Sequence, residues 1–123
     1  MNIRILLLPA LLGASLAHAG TPIPEPSPGL QPRPIVGKTL FDRNCASCHG
    51  VDLMGSDKGP PLLNPIYRPG HHSDASFQLA VANGARAHHW AFGDMKPVAG
   101  VSPDDVAHIT AYVRMRQRKH GIE

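Results

Sequence analysis

The two cysteines of the chain stand beside a histidine in one run, Cys45-Ala46-Ser47-Cys48-His49. Thiols three positions apart fall on one helical turn. From there they can reach the two vinyl groups along one side of a haem, and the adjacent imidazole then faces the iron. This spacing reads as an attachment site for one covalent haem c. Other chemistries use the same residue types. A zinc site asks for four ligands, often including a second cysteine pair, and the chain has only two cysteines. A thioredoxin-like dithiol asks for a βαβ setting, whereas the flanks here read as helix. A plain disulfide needs only an oxidising compartment. Eight histidines add a second question, because four of them form the pairs His71-His72 and His88-His89. Paired imidazoles suit a copper ion or a second iron ligand as well as a solvated loop. We read them as surface histidines on loops beside the haem crevice. Trp90 and Phe92, next to the second pair, are expected to shield the haem or to contact a propionate.

The motif must be delivered by local structure. Residues 37–47 set Leu40, Phe41 and Ala46 among Lys38, Asp42, Arg43 and Asn44, as in a short amphipathic helix. Residues 74–83 form a second helix closed by Gly84, with Phe77, Ala80 and Val81 on one face. Ser102-Pro103-Asp104-Asp105 is a helix start with a capping serine, proline at the first helical position and acid in the first turn. The helix it opens buries Val106, Ile109 and Val113, with Tyr112 at the border of that stripe. Arg114, Arg116, Arg118, Lys119 and His120 complete it as dipole complement and solvated surface. No segment alternates as a strand and no repeat is visible, so the fold class is all-α.

The N-terminal region has a different character. Met1 to Arg4 are basic, residues 5–16 are apolar around Pro9, and Ala17-His18-Ala19 is a small-x-small cleavage site. Residues 1–19 therefore read as a secretory signal peptide, and the expected location is the periplasm. Export favours haem, because c-type haem is attached after export in bacteria. Residues 20–36 carry proline at Pro22, Pro24, Pro26, Pro28, Pro32 and Pro34, which predicts an extended tail or linker. Residues 37–123 remain as the folded unit, a short domain of the kind that needs a staple such as a cofactor. With 42% apolar and 17% charged residues the chain is not wholly disordered. A net charge of +3 is too small and scattered for a nucleic-acid partner. No apolar run reaches the roughly 18 residues of a membrane span.

Taken together, these residues resemble a small bacterial monohaem cytochrome c with histidine–methionine ligation. Gly37, Phe41 and Cys45 match that family's N-terminal helix, whose glycine lets the first and last helices cross closely against an aromatic such as Tyr112. Gly59-Pro60-Pro61-Leu62 is similar to its Gly-Pro-x-Leu segment, and Gly93-Asp94-Met95 to its methionine loop. The resemblance implies that the Pro60 carbonyl accepts the Nδ1 proton of His49, that Leu62 packs on the haem, and that His49 and Met95 ligate the iron. One departure is Lys96, which stands between Met95 and Pro97 where many relatives have proline directly after the methionine.

The other methionines are poorer ligands. Met1 lies in the signal peptide, Met54 is only a few residues beyond His49, and Met115 belongs to the last helix among arginines. His88 and His89 compete with Met95 for the sixth position. The expected function is electron transfer between redox-protein partners, cycling one haem between Fe(III) and Fe(II), since two protein ligands leave no open iron site. Two alternatives are a peroxidase-like or gas-binding haem protein, should the Met95 position open, and a copper-handling redox protein built on the histidine pairs.

Overall fold

A computed structural model describes residues 21–123. The expected signal peptide, residues 1–19, lies outside the described residues. Helix α1 spans Pro34–Asn44, α2 Ala46–His49, α3 Asp74–Asn83 and α4 Pro103–Lys119, with a short 3₁₀ turn at Pro65–Tyr67. The fold is all-α: among the described residues the one β-type pairing is an isolated antiparallel bridge between Ala85 and Met95.

The helix expected to begin at residue 37 begins at Pro34 instead. Proline blocks a helix interior, but at the first helical position its missing amide costs nothing and its fixed φ is already helical. The same helix is interrupted at Cys45, where φ is −125°. The amides of Cys48 and His49 both donate to the Cys45 carbonyl, at 3.1 and 3.0 Å, so a new turn starts there.

Helices α1 and α4 cross at Gly37. A Cβ on Gly37 would stand 1.9 Å from the His108 carbonyl oxygen and 3.0 Å from Tyr112 Cβ, so only glycine permits this approach. Beside the crossing, Phe41 and Tyr112 pack with ring centroids 5.7 Å apart. Tyr112, expected at the border of the apolar stripe, is at its centre with 2% exposure, and joins Phe41, Leu53, Leu62, Ile109 and Val113 in the core.

Helix α4 starts as its sequence predicts. Ser102 and Asp105 form a reciprocal capping box, with the Ser102 amide donating to Asp105 Oδ2 at 3.0 Å and the Asp105 amide donating to Ser102 Oγ at 3.2 Å. Its C-terminal half departs from expectation at Arg114, which is buried. The guanidinium donates to Asp74 Oδ1 at 2.8 Å, to the Tyr67 carbonyl at 2.7 Å, to Gln117 Oε1 at 2.7 Å and to the His72 carbonyl. A planar fork of five N–H donors can satisfy that many acceptors at once. Arg114 is therefore a tether holding residues 67–74 to α4, whereas Arg116, Arg118 and Lys119 occupy the last turn.

The proline-rich segment is extended up to Arg33 apart from one turn at Pro28-Gly29, closed by the Leu30 amide on the Ser27 carbonyl at 3.0 Å, and it is held to the domain. Ser27 donates from its amide and its hydroxyl to the Asp104 carboxylate, at 2.6 and 2.9 Å. The Arg33 amide donates to His108 Nδ1 at 2.9 Å.

Candidate haem site

The six residues singled out from the sequence, Cys45, Cys48, His49, Pro60, Leu62 and Met95, all border one cavity of about 840 Å³. Helices α1 and α2 bring in the two cysteines and the histidine. Phe77, Ala80 and Val81 of α3 form part of the opposite lining, as the face predicted for that helix requires. Val106 and Ile109 of α4 and much of the segment 84–99 border it as well.

His49 Nδ1 lies 2.9 Å from the Pro60 carbonyl oxygen. A carbonyl only accepts, so the ring carries its proton on Nδ1 and keeps a lone pair on Nε2. Burial pushes the His49 pKa below the ordinary histidine value, against the smaller opposing effect of the Pro60 bond. The ring is thus neutral at pH 7, the form that coordinates metal. The loop beyond His49 is folded back on the motif: the Gly55 amide donates to the His49 carbonyl at 2.8 Å, and Ser56 Oγ to the Cys48 carbonyl at 2.7 Å.

The two cysteines are not joined to each other. Burial, with a lesser contribution from Cys48, pushes the Cys45 thiol up to about 11. A redox dithiol needs the reverse, a thiol lowered toward neutrality. Nor is there a βαβ setting around the pair among the described residues, where helices flank it and the one β-type pairing is the Ala85–Met95 bridge. The cavity beside them is the feature that a disulfide or a zinc site would leave without a purpose.

Met95 reaches the cavity on a segment fastened at both ends. Its amide donates to the Ala85 carbonyl at 2.8 Å and its carbonyl accepts from the Ala85 amide at 3.0 Å. The Ala87 amide donates to Asp94 Oδ1 at 2.8 Å. Gly84, expected only as the α3 cap, has a second role here. Its φ is +77°, and a Cβ there would stand 2.5 Å from the Met95 carbonyl oxygen and 3.1 Å from the Pro97 ring. Pro97 thus packs on Gly84 even though Lys96 separates it from Met95. Met54 is exposed and Met115 packs against the core; neither borders the cavity.

Trp90 and Phe92, expected beside the haem, border the cavity. Trp90 Nε1 is buried without a hydrogen-bond partner in the protein, a donor that a haem carboxylate would satisfy. Two further features of the site were not read from the sequence. Arg114 and Gln117 tie down the chain that walls the cavity: Gln117 Nε2 donates to the Leu62 carbonyl at 2.9 Å and to the Tyr67 carbonyl at 3.1 Å. Helical spacing already places Gln117 with Val106, Thr110 and Val113 on the inward face of α4, so its burial was available from periodicity. Finally, the two histidine pairs converge into one cluster. The aromatic and aliphatic lining, the neutral imidazole and the orphaned indole donor together fit a haem.

Comparison with known proteins gives the same answer. A family model described as cytochrome c matches residues 36–117. The CcoP subunit of a cbb3-type cytochrome c oxidase from Rubrivivax gelatinosus is 34% identical over 80 residues, covering 63% of this chain and 24% of that protein. The cytochrome c subunit of the cytochrome bc1 complex from Mycobacterium bovis is 36% identical over 63 residues, 48% of this chain and 22% of that subunit. Its counterpart from Mycobacterium leprae is 41% identical over 64 residues, with the same coverage. The chain thus spans less than a quarter of the length of each of these relatives. No solved structure matches significantly. Because the family match runs from the first helix into the last turns of the fourth, it takes in the whole scaffold around the cavity, and the chain belongs to the cytochrome c family, whose members carry covalent haem c and transfer electrons.

Proposed function

We propose that the protein is a periplasmic electron carrier that cycles one haem c between Fe(III) and Fe(II), that Cys45 and Cys48 would hold the haem while His49 and Met95 would ligate its iron, and that it is not itself an enzyme. The observation that carries this reading is that His49 and Met95 border one cavity from which Met54 and Met115 stand away; His88 and His89 border it too and are the rivals for the sixth position. When bound, the haem supplies one-electron chemistry at iron. The protein decides how that chemistry runs. The Pro60 carbonyl holds the His49 ring in one tautomer and one orientation. The Met95 thioether, a soft donor, would favour the ferrous state and so would raise the potential. The apolar lining disfavours the extra charge of the ferric state and acts in the same direction.

The relatives named as subunits of an oxidase and of bc1 complexes support redox proteins of respiratory complexes as the class of donor and acceptor. Among the described residues no helix is long and apolar enough to cross a membrane. Met95→Ala tests the ligand set. The variant should have a lower midpoint potential, lose the weak far-red sulfur-to-iron band of the ferric protein, and bind carbon monoxide when reduced. An unchanged band and potential, with both altered instead in His88→Ala or His89→Ala, would transfer the sixth position to histidine. Recovery of the holoprotein in the periplasmic fraction tests its location.

A further inference from the structure

The four histidines of the two pairs lie in a single cluster at the edge of the haem cavity. The His88 and His89 ring centroids are 4.1 Å apart, those of His71 and His72 4.8 Å, and those of His71 and His89 5.3 Å. One ligand nitrogen from each of His71, His72 and His89 falls within 4.8 Å of the others. We propose that His71, His72 and His89 form a binding site for one divalent transition-metal ion of the zinc–copper class, separate from the haem iron.

The geometry argues for this in three ways. First, His71 Nε2 and His89 Nε2 are 3.3 Å apart. Two nitrogens each about 2.05 Å from a tetrahedral ion stand about 3.3 Å from one another. Second, the third ligand is oriented from behind. His72 Nδ1 donates to the Ile66 carbonyl at 2.8 Å, which leaves the lone pair on Nε2, the arrangement that fixes metal-binding imidazoles. The His72 ring also leans on Tyr67, with centroids 4.8 Å apart, and its own carbonyl is held by Arg114. The charge of that guanidinium is matched by Asp74. Third, His88 presents a further imidazole beside His89 with Nδ1 already engaged, 2.7 Å from the Arg86 carbonyl. It can complete a four-coordinate set in competition with water.

The donor set selects the ion. Imidazole nitrogens without a carboxylate or thiolate suit zinc, copper and nickel and exclude the hard cations calcium and magnesium. Desolvation first, and then the crowding of neighbouring imidazoles, hold His72 and His89 below the ordinary histidine pKa, which favours the neutral, metal-binding form of those two rings. A direct ring-to-ring hydrogen bond between His71 and His89 gives a similar spacing, and the experiment separates the two cases.

The test is a calorimetric titration of the ferric holoprotein with Zn²⁺ in chelator-free buffer at pH 7.5. One equivalent should bind. His71→Ala with His89→Ala should weaken binding by about 100-fold or more, since loss of a supporting residue alone costs 10–100-fold. His120→Ala, which changes an exposed histidine at the end of α4, should leave binding intact. Cu²⁺ added to the ferric wild type should give an axial electron paramagnetic resonance signal with nitrogen superhyperfine structure, lost in the double variant. Equal Zn²⁺ binding by wild type and double variant, or no stoichiometric binding by wild type, would overturn the proposal. So would a change in the haem absorption of the metal-free double variant, because that would place these imidazoles on the iron. The visible spectrum of the metal-free wild type reports the haem ligands independently of the titration.

Discussion

At the scale of single residues, the site depends on groups that bind nothing themselves. His49 is useful because Pro60 offers a bare carbonyl to its Nδ1, and His72 is placed because Arg114 holds the backbone on either side of it. Arg114 satisfies the Tyr67 and His72 carbonyls, Gln117 and Asp74 with one side chain. Lysine at this position carries the same charge on a single nitrogen and cannot span those acceptors. Arg114→Lys should therefore leave carbonyls unpaired and lower stability by about 2 kcal/mol, read as a lower denaturant midpoint of the holoprotein. An unchanged midpoint would mean that water replaces the guanidinium without loss. Arg114 is hidden from sequence reading because it stands in a run with Arg116, Arg118 and Lys119 that complements the helix dipole.

At the scale of elements, the crossing of α1 and α4 and the start of α4 set the frame for the motif. Gly37→Ala would drive a methyl group into the His108 carbonyl. The helices would have to separate, and the variant should lose about 2–3 kcal/mol of stability in thermal or denaturant unfolding. Ser102→Ala should cost about 1 kcal/mol at pH 7 through loss of the cap. This second effect depends on pH in a defined direction. Hydrogen bonds from the Ser102 side chain, then its backbone, hold the Asp105 carboxyl below its ordinary value of 3.8. Stabilisation from a lowered carboxyl is complete above that value and disappears as pH falls through the folded-state value. The difference between Ser102→Ala and wild type should therefore narrow between pH 7 and about pH 3, measured by unfolding at both. A constant difference would assign the cap's worth to the Asp105 amide bond alone.

At the scale of the whole molecule, the proline-rich segment and the cavity are separate parts of one fold. Residues 21–33 contact α4 through Ser27 and Arg33, and none of them borders the large cavity. Removal of the chain up to Arg33 should leave the visible spectrum and midpoint potential unchanged while lowering stability by about 1–2 kcal/mol, seen as a lower melting temperature. A shifted potential would show that the tail reaches the haem environment. The histidine cluster is likewise a property of the whole chain, since residues near positions 71 and 88 meet only when α3 carries the chain out and back.

The features that rest on local chemistry can be read from the chain alone. The Cys45-x-x-Cys48-His49 spacing follows from one helical turn, the Ser102–Asp105 cap from side chains within reach of neighbouring amides, and the inward faces of α3 and α4 from helical periodicity. The need for glycine at position 37 was legible only through family resemblance, because a close crossing involves a partner far along the chain. The tertiary structure alone decided the facts that join distant residues: Gly84 beneath the Met95 carbonyl, Arg114 drawn inward by Asp74 and two carbonyls, the tail fastened to Asp104, and two histidine pairs made into one cluster. In each of these the contact energy comes from groups with no fixed spacing along the chain, so no periodicity records it. Only the folded path, set by α1 crossing α4 and α3 lining the cavity, brings those groups together.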